Sequence, residues 1–214
     1  ITEDLLVSLE TLKTDYVDLF ALHRDDASVE VGPIMETLNE HIRSGKILAI
    51  GASNWELDRI IAANEYAEKN GLIGFTFNSP NLSLAKCQIP RWEGCVSANL
   101  EMVDWHEKTN IPLFSWSAQA GGFFSGRFTR DNFDDQEMVD VFYNDENWER
   151  YDRAIELANK KNVSPIQIAM AYVLNQKFPT TAVIGPEKLE ELLSSYDGSK
   201  MELTQKEVEW LNLK

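Results

Sequence analysis

Apolar positions along the chain recur with two periods, and the two periods alternate. Leu5, Leu9 and Leu12 fall on one face of a helix over residues 2–12, with Glu3 and Asp4 in its first turn, where carboxylates complement the helix dipole. The short β-rich run Tyr16-Val17-Asp18-Leu19-Phe20-Ala21-Leu22 predicts a strand that ends at His23-Arg24-Asp25-Asp26. A helix over about 34–43 follows, closed by Gly45. Ile47–Ser53 predicts a second strand, continuous in apolar residues as a strand buried on both faces requires. Residues 56–69 predict a helix ended by Asn70-Gly71, and residues 74–78 a third strand. A loop with Pro80 and Pro90 leads to a helix around 98–108 and a fourth strand at 111–116.

From 118 to about 144 the pattern loses its period and is rich in Gly, Phe and Asp. A helix is predicted over 146–161. The next opens with a capping box, Ser164-Pro165-Ile166-Gln167, with Pro at the first helical position. A fifth strand at 181–184, a helix at 189–195 and a terminal helix capped by Thr204-Gln205-Lys206-Glu207 complete the chain. Five strands alternating with helices mean a parallel sheet covered by helices. Periodicity does not separate the doubly wound form from the barrel. No Gly-x-Gly-x-x-Gly follows the first strand, which weighs against a doubly wound dinucleotide fold. Polar residues gather at the C-terminal strand ends: His23, Ser53-Asn54, Asn78, Trp116-Ser117. In a (β/α)8 barrel those ends form the catalytic rim, and His23, Ser53, Asn78 and Trp116 are expected to share it. A full barrel takes about 250 residues and eight strands.

Composition narrows the partners. The 214 residues are read as a single domain, 1–214, without an interdomain linker; 43% are hydrophobic and 26% charged, the balance of a globular chain with a real core. Thirty-five acidic against 20 basic side chains give a net charge of −15, which disfavours nucleic acid and anionic membrane surfaces. No apolar run spans a bilayer, and Ile1-Thr2-Glu3-Asp4 does not open a signal peptide, so a cytoplasmic location is expected. The missing initiator Met hints at a start partway through something larger. Cys87 and Cys95 have no His or further Cys at ligand spacing, so neither a disulfide framework nor a metal site is expected.

Three stretches carry a family resemblance. The run from Tyr16 through His23-Arg24 resembles the fourth strand of the aldo-keto reductases, and Gly45-Lys46 through Ser53-Asn54 their fifth. Trp116-Ser117-Ala118-Gln119-Ala120-Gly121-Gly122-Phe123-Phe124-Ser125-Gly126-Arg127 is similar to the loop after their seventh strand. The resemblance runs through essentially the whole chain. It implies the C-terminal two-thirds of the family's fold: the later part of a (β/α)8 TIM barrel, strands four to eight, with the first three strands missing from this chain. The missing N-terminal part of the same barrel is then the expected partner.

The family reduces carbonyls by hydride transfer from a bound nicotinamide, using a tyrosine acid tuned by lysine and aspartate, and a histidine that orients the carbonyl. The resemblance makes His23 that histidine, and a neutral imidazole at a strand end can stabilise developing negative charge. Lys13, Asp15 and Tyr16 mimic the other three members. Tyr16 lies seven residues from His23 along one strand, roughly 23 Å away at the usual rise, so it is read as packing. Ser53 and Asn54 are implied to hold the nicotinamide carboxamide; the lesser reading, compatible with it, is a strand-end turn in which Asn54 caps a helix beginning at Trp55 or Glu56. Asn78 stands where the family usually has Gln. Trp116 stands where an aromatic stacks on the nicotinamide. Ser117, Gln119, Gly122, Gly126 and Arg127 are implied in the phosphate loop, where glycines let backbone approach closely. Trp55 is the candidate substrate wall. His41 and His106, set among charges, are read as solvated.

Most of the family prefers NADPH, gripping its 2′-phosphate with a basic residue, an arginine and an asparagine. Here Lys188 is basic, while Glu191 falls where the arginine is expected and Ser195 where the asparagine is. A carboxylate about 5 Å from a phosphate costs on the order of 1–3 kcal/mol unless a cation intervenes. Glu191 suits ribose hydroxyls instead, so NADP is the cofactor implied and NAD the alternative. The expected function is therefore NAD(P)H-dependent reduction of small-molecule aldehydes or ketones to alcohols in the complete enzyme, with this chain alone inactive. The competing reading is an inactive barrel remnant or binding subunit that keeps the cofactor shelf. A metal-dependent hydrolase fails for want of His and carboxylate clusters at strand ends.

Overall fold

A computed structural model describes residues 1–214, and the chain divides into two compact units, 1–79 and 80–214.

In the first unit, α1 (Thr2–Leu12) precedes β1 (Val17–Leu22), α2 (Val31–Arg43), β2 (Ile47–Ser53), α3 (Leu57–Lys69) and β3 (Phe77–Ser79). The strands are parallel, in the order β1-β2-β3: Val17 sits opposite Ile47, Leu22 opposite Ala52, and Ala52 in turn opposite Asn78. α2 packs on α3 and on β2, burying Met35, Leu38, Ile50 and Ile60 completely. α2 begins at Val31, earlier than expected, because Pro33 in its first turn has no intrahelical N–H to lose. β3 is shorter than the predicted 74–78. The Phe75 N–H donates to Asn64 Oδ1 of α3 at 2.7 Å instead of joining a ladder. β1 is an edge strand, and Leu19 and Leu48 stay half exposed on these strands.

The second unit holds α4 (Leu100–Thr109), β4 (Leu113–Ser115), a 3-10 turn (Ala120–Ser125), α5 (Gln136–Phe142), α6 (Asp145–Lys161), α7 (Pro165–Leu174), β5 (Thr180–Ala182), α8 (Leu189–Ser199) and α9 (Gln205–Leu211). β4 and β5 pair in parallel; β4 lies within its predicted span, whereas β5 starts one residue before its own and ends two residues short of it. α5 interrupts the stretch expected to be irregular. Asp135 caps it by accepting the Met138 N–H, and Met138, Val141 and Phe142 are buried on its inner face. α8 runs four residues past the predicted end at 195, through Gly198. A Cβ there would meet Gln167 Cα and Met170 Cβ at 3.1 Å, so the glycine lets α7 and α8 close on each other.

His106, expected in solvent, is fully buried. Its Nδ1 is 2.7 Å from the Ile111 carbonyl and its ring stacks 5.1 Å from Phe178. His41 is half-buried, with Nε2 2.9 Å from Thr2 Oγ1. Cys87 and Cys95 form no disulfide, and no helix is long and apolar enough to cross a membrane.

Candidate functional site

The first unit brings four of the expected residues to one end of its parallel strands. His23 follows the last residue of β1 and is exposed; Ser53 ends β2; Asn54 is next; Asn78 lies in β3. The segment after His23 is fastened down. Asp25 takes Arg59 of α3 in a two-pronged ion pair at 2.8 and 2.9 Å, and Arg59 also donates to the Val29 carbonyl at 3.0 Å. Asp26 accepts from both the hydroxyl and the N–H of Ser28, which holds its carboxyl below the usual range.

Asn54 adopts a left-handed φ of 57°, a conformation in which Asn is tolerated. Its Nδ2 donates to the His23 carbonyl at 3.3 Å and to Ser53 Oγ at 3.0 Å, while Ser53 Oγ donates to the Ser79 carbonyl at 2.8 Å. These contacts tie the three strand ends together. Asn54 does not cap the next helix, which starts at Leu57 after Glu56. Trp55, expected as a substrate wall, is a core ring: it is 1% exposed, meets Phe75 edge-on at 5.2 Å and lies under Arg59 at 5.3 Å, so it offers no open face. Unit 1 contains two tyrosines. Tyr16 precedes β1, at the opposite end from His23, and Tyr66 on α3 donates to Glu36 at 2.6 Å, which raises its phenol pKa.

In the second unit the expected residues gather after β4 and at α8. Trp116 is half-buried beside Trp92, with ring centroids 5.8 Å apart. Ser117, Ala120, Gly121, Gly122 and Gly126 all have φ between 51° and 87°, a left-handed path that only the glycines adopt without strain. The turn sits on a rigid base. Phe123 and Phe124 are fully buried among Phe142, Trp148 and Tyr151. Arg127 donates to the Gly121 carbonyl at 3.4 Å and lies over Phe128. Gln119 Oε1 accepts from the buried Ser195 hydroxyl at 3.1 Å, joining this loop to α8. Glu191 Oε2 accepts the Glu187 N–H at 2.9 Å, and Lys188 is the exposed residue before α8.

Sequence reasoning missed Arg91. It donates from Nη1 to Ser117 Oγ at 2.7 Å and from Nε to Glu137 Oε1 at 2.8 Å. Pro90 marked its segment as a loop, but nothing local says where that loop docks. A cavity of about 550 Å³ in the second unit, lined by Lys86, Val103, Tyr172, Gln176 and Val208 among others, contains none of the expected residues. Chemically, unit 1 presents an exposed histidine whose backbone carbonyl is bonded by an amide that also holds a hydroxyl, and unit 2 an aromatic ring beside a glycine turn with two guanidinium groups.

The family model described as "Aldo/keto reductase family" matches residues 1–212. The uncharacterized oxidoreductase YrpG of Bacillus subtilis is 23% identical over 205 residues, covering 96% of this chain and 60% of its own length. Norsolorinic acid reductase of Aspergillus flavus is 27% identical over 202 residues, covering 94% and 49%. An aryl-alcohol dehydrogenase of Pestalotiopsis microspora is 27% identical over 203 residues, covering 94% and 50%. The chain thus spans about half to three fifths of the length of these relatives. The crystal structure of the thermostable aldo-keto reductase Tm1743 with the inhibitor epalrestat superposes with a TM-score of 0.74 at 17% identity, over 99% of this chain and 65% of that one.

Proposed function

This chain belongs to the aldo/keto reductase family, and from that premise we propose that it serves the NAD(P)H-dependent reduction of aldehydes or ketones to alcohols, as strands four to eight of a (β/α)8 barrel whose first three strands lie outside residues 1–214. One observation carries the reading: an exposed His23 at the C-terminal end of a parallel strand, with Ser53 and Asn54 fixed beside it. The half-exposed Leu19 and the edge position of β1 support the further strands.

The residues fit a nicotinamide dinucleotide. The turn through Gly121 and Gly122 is left-handed, with Arg127 beside it, and Gly126 has the empty space where a side chain would stand that close approach of a phosphate needs. Trp116 and Ser117 serve the nicotinamide ring and the start of the phosphates; Gln119, Lys188, Glu191 and Ser195 serve the adenosine end. Asn54 is held at this rim by its Nδ2, which donates to the His23 carbonyl and to Ser53 Oγ. The bound nicotinamide supplies the hydride. His23 donates a hydrogen bond to the carbonyl oxygen, orients it and stabilises the negative charge that grows there. The family resemblance assigns the proton to a tyrosine on the earlier strands, and within the first unit neither Tyr16 nor Tyr66 stands with His23. NADPH is the cofactor assigned, NADH the alternative, and the setting is cytoplasmic.

In the full-length protein, His23→Ala is expected to lower kcat for aldehyde-dependent NADPH oxidation about 100-fold while nucleotide affinity holds. Unchanged turnover refutes the assignment. A second reading, a cofactor-binding remnant without catalysis, draws on the same placement of the tyrosines, and a full-length protein that binds nucleotide and reduces no carbonyl establishes it.

A further inference from the structure

Ser117 is a non-glycine residue in the left-handed region, φ 51°, and such a conformation persists only where surrounding contacts enforce it. The enforcing contact is Arg91. Its side chain is 16% exposed and meets four partners. Nη1 donates to Ser117 Oγ at 2.7 Å, and Nε donates to Glu137 of α5 at 2.8 Å. The guanidinium lies 4.9 Å from the Trp92 ring centroid, and Trp92 in turn lies against Trp116. Nη1 and Nη2 also stand 2.9 Å from where a Cβ on Gly121 would be, so glycine there is what admits the guanidinium.

One planar side chain therefore braces the strand end at Ser117, the glycine turn, α5 and, through Trp92, the Trp116 ring. Glu137 neutralises its charge within the fold. Arg91 is thus suited to ordering the loop and poorly suited to attracting phosphate, the role left to Arg127, which donates to the Gly121 carbonyl.

We propose that Arg91 is a positioning residue for dinucleotide binding: it pre-orders residues 116–122 and contributes affinity through that order, without touching the nucleotide. This rests on the reading of that loop as the cofactor shelf. Arginine's fork makes two bonds at once from fixed geometry, which lysine cannot reproduce.

The test uses the full-length protein with NADPH and NADH as probes, and measures dissociation constants across ionic strength together with kcat at saturating nucleotide. Arg91→Ala is expected to weaken both nucleotides by the same factor, about tenfold, with the salt dependence of wild type and kcat within twofold. Arg91→Lys is expected to weaken both about threefold, and carries the test if Arg91→Ala does not fold. Wild-type affinity in both variants overturns the inference alone. So does a loss confined to NADPH, or a changed salt dependence, since either means direct contact with a phosphate. A wild-type protein that binds neither nucleotide overturns the functional reading and this inference together.

Discussion

At Glu191 the carboxylate accepts the Glu187 N–H at 2.9 Å and so stands over the start of α8, where a 2′-phosphate would otherwise find backbone donors. Glu191→Arg removes that anion and adds a cation. It is expected to tighten NADPH about tenfold while leaving NADH within about twofold, read from dissociation constants for the two nucleotides. His106 shows how a single residue misleads. Its sequence neighbours Asp104, Glu107 and Lys108 belong to a helix surface, whereas its ring is covered by Phe178, far along the chain. Burial holds its pKa below the ordinary histidine value of 6.5, against the smaller opposing pull of the Ile111 carbonyl. The unfolded chain therefore takes the proton first. Stability is complete above pH 6.5 and falls as the pH drops below it toward the folded pKa. Melting temperature is expected to decline over that window in the wild type and to flatten in His106→Asn.

Among the elements, the helices and the first two strands were legible because each has a clean period and, at its ends, recognisable stops such as Gly45 or the Ser164 and Thr204 boxes. What was misplaced depends on long-range partners. Asn64 diverts the N–H that would begin β3 early, and a close approach to α7 lets α8 continue through Gly198. α5 hid in an Asp-rich stretch because a seven-residue helix carries too few turns to show a period. The β2–β3 pairing carries a sharper consequence. A Cβ on Gly51 would lie 2.4–2.6 Å from the Phe77 ring, in a strand buried on both sides of that position. Gly51→Ala is expected to destabilise the protein by about 1–3 kcal/mol in urea unfolding, as overpacking does. A neutral result would mean that Phe77 has room to turn.

For the whole molecule, the α/β class and the parallel pairing followed from strands alternating with helices, and the candidate site from polar residues at strand ends. His23, Ser53, Asn54 and Asn78 indeed stand at one end of the first unit's sheet. The residues that brace the site did not show in the sequence. Arg91, Glu137 and the Asp25–Arg59 pair act across 34 to 46 positions, and no periodicity registers such pairs. The proposed function divides the labour: residues 1–214 would grip the dinucleotide and orient the carbonyl, and the proton donor would come from elsewhere in the barrel. The most direct measurement takes residues 1–214 alone and follows NADPH binding by quenching of tryptophan fluorescence alongside aldehyde-dependent oxidation at saturating nucleotide. Binding without turnover is the expected result. Turnover by this chain that disappears in His23→Ala contradicts it.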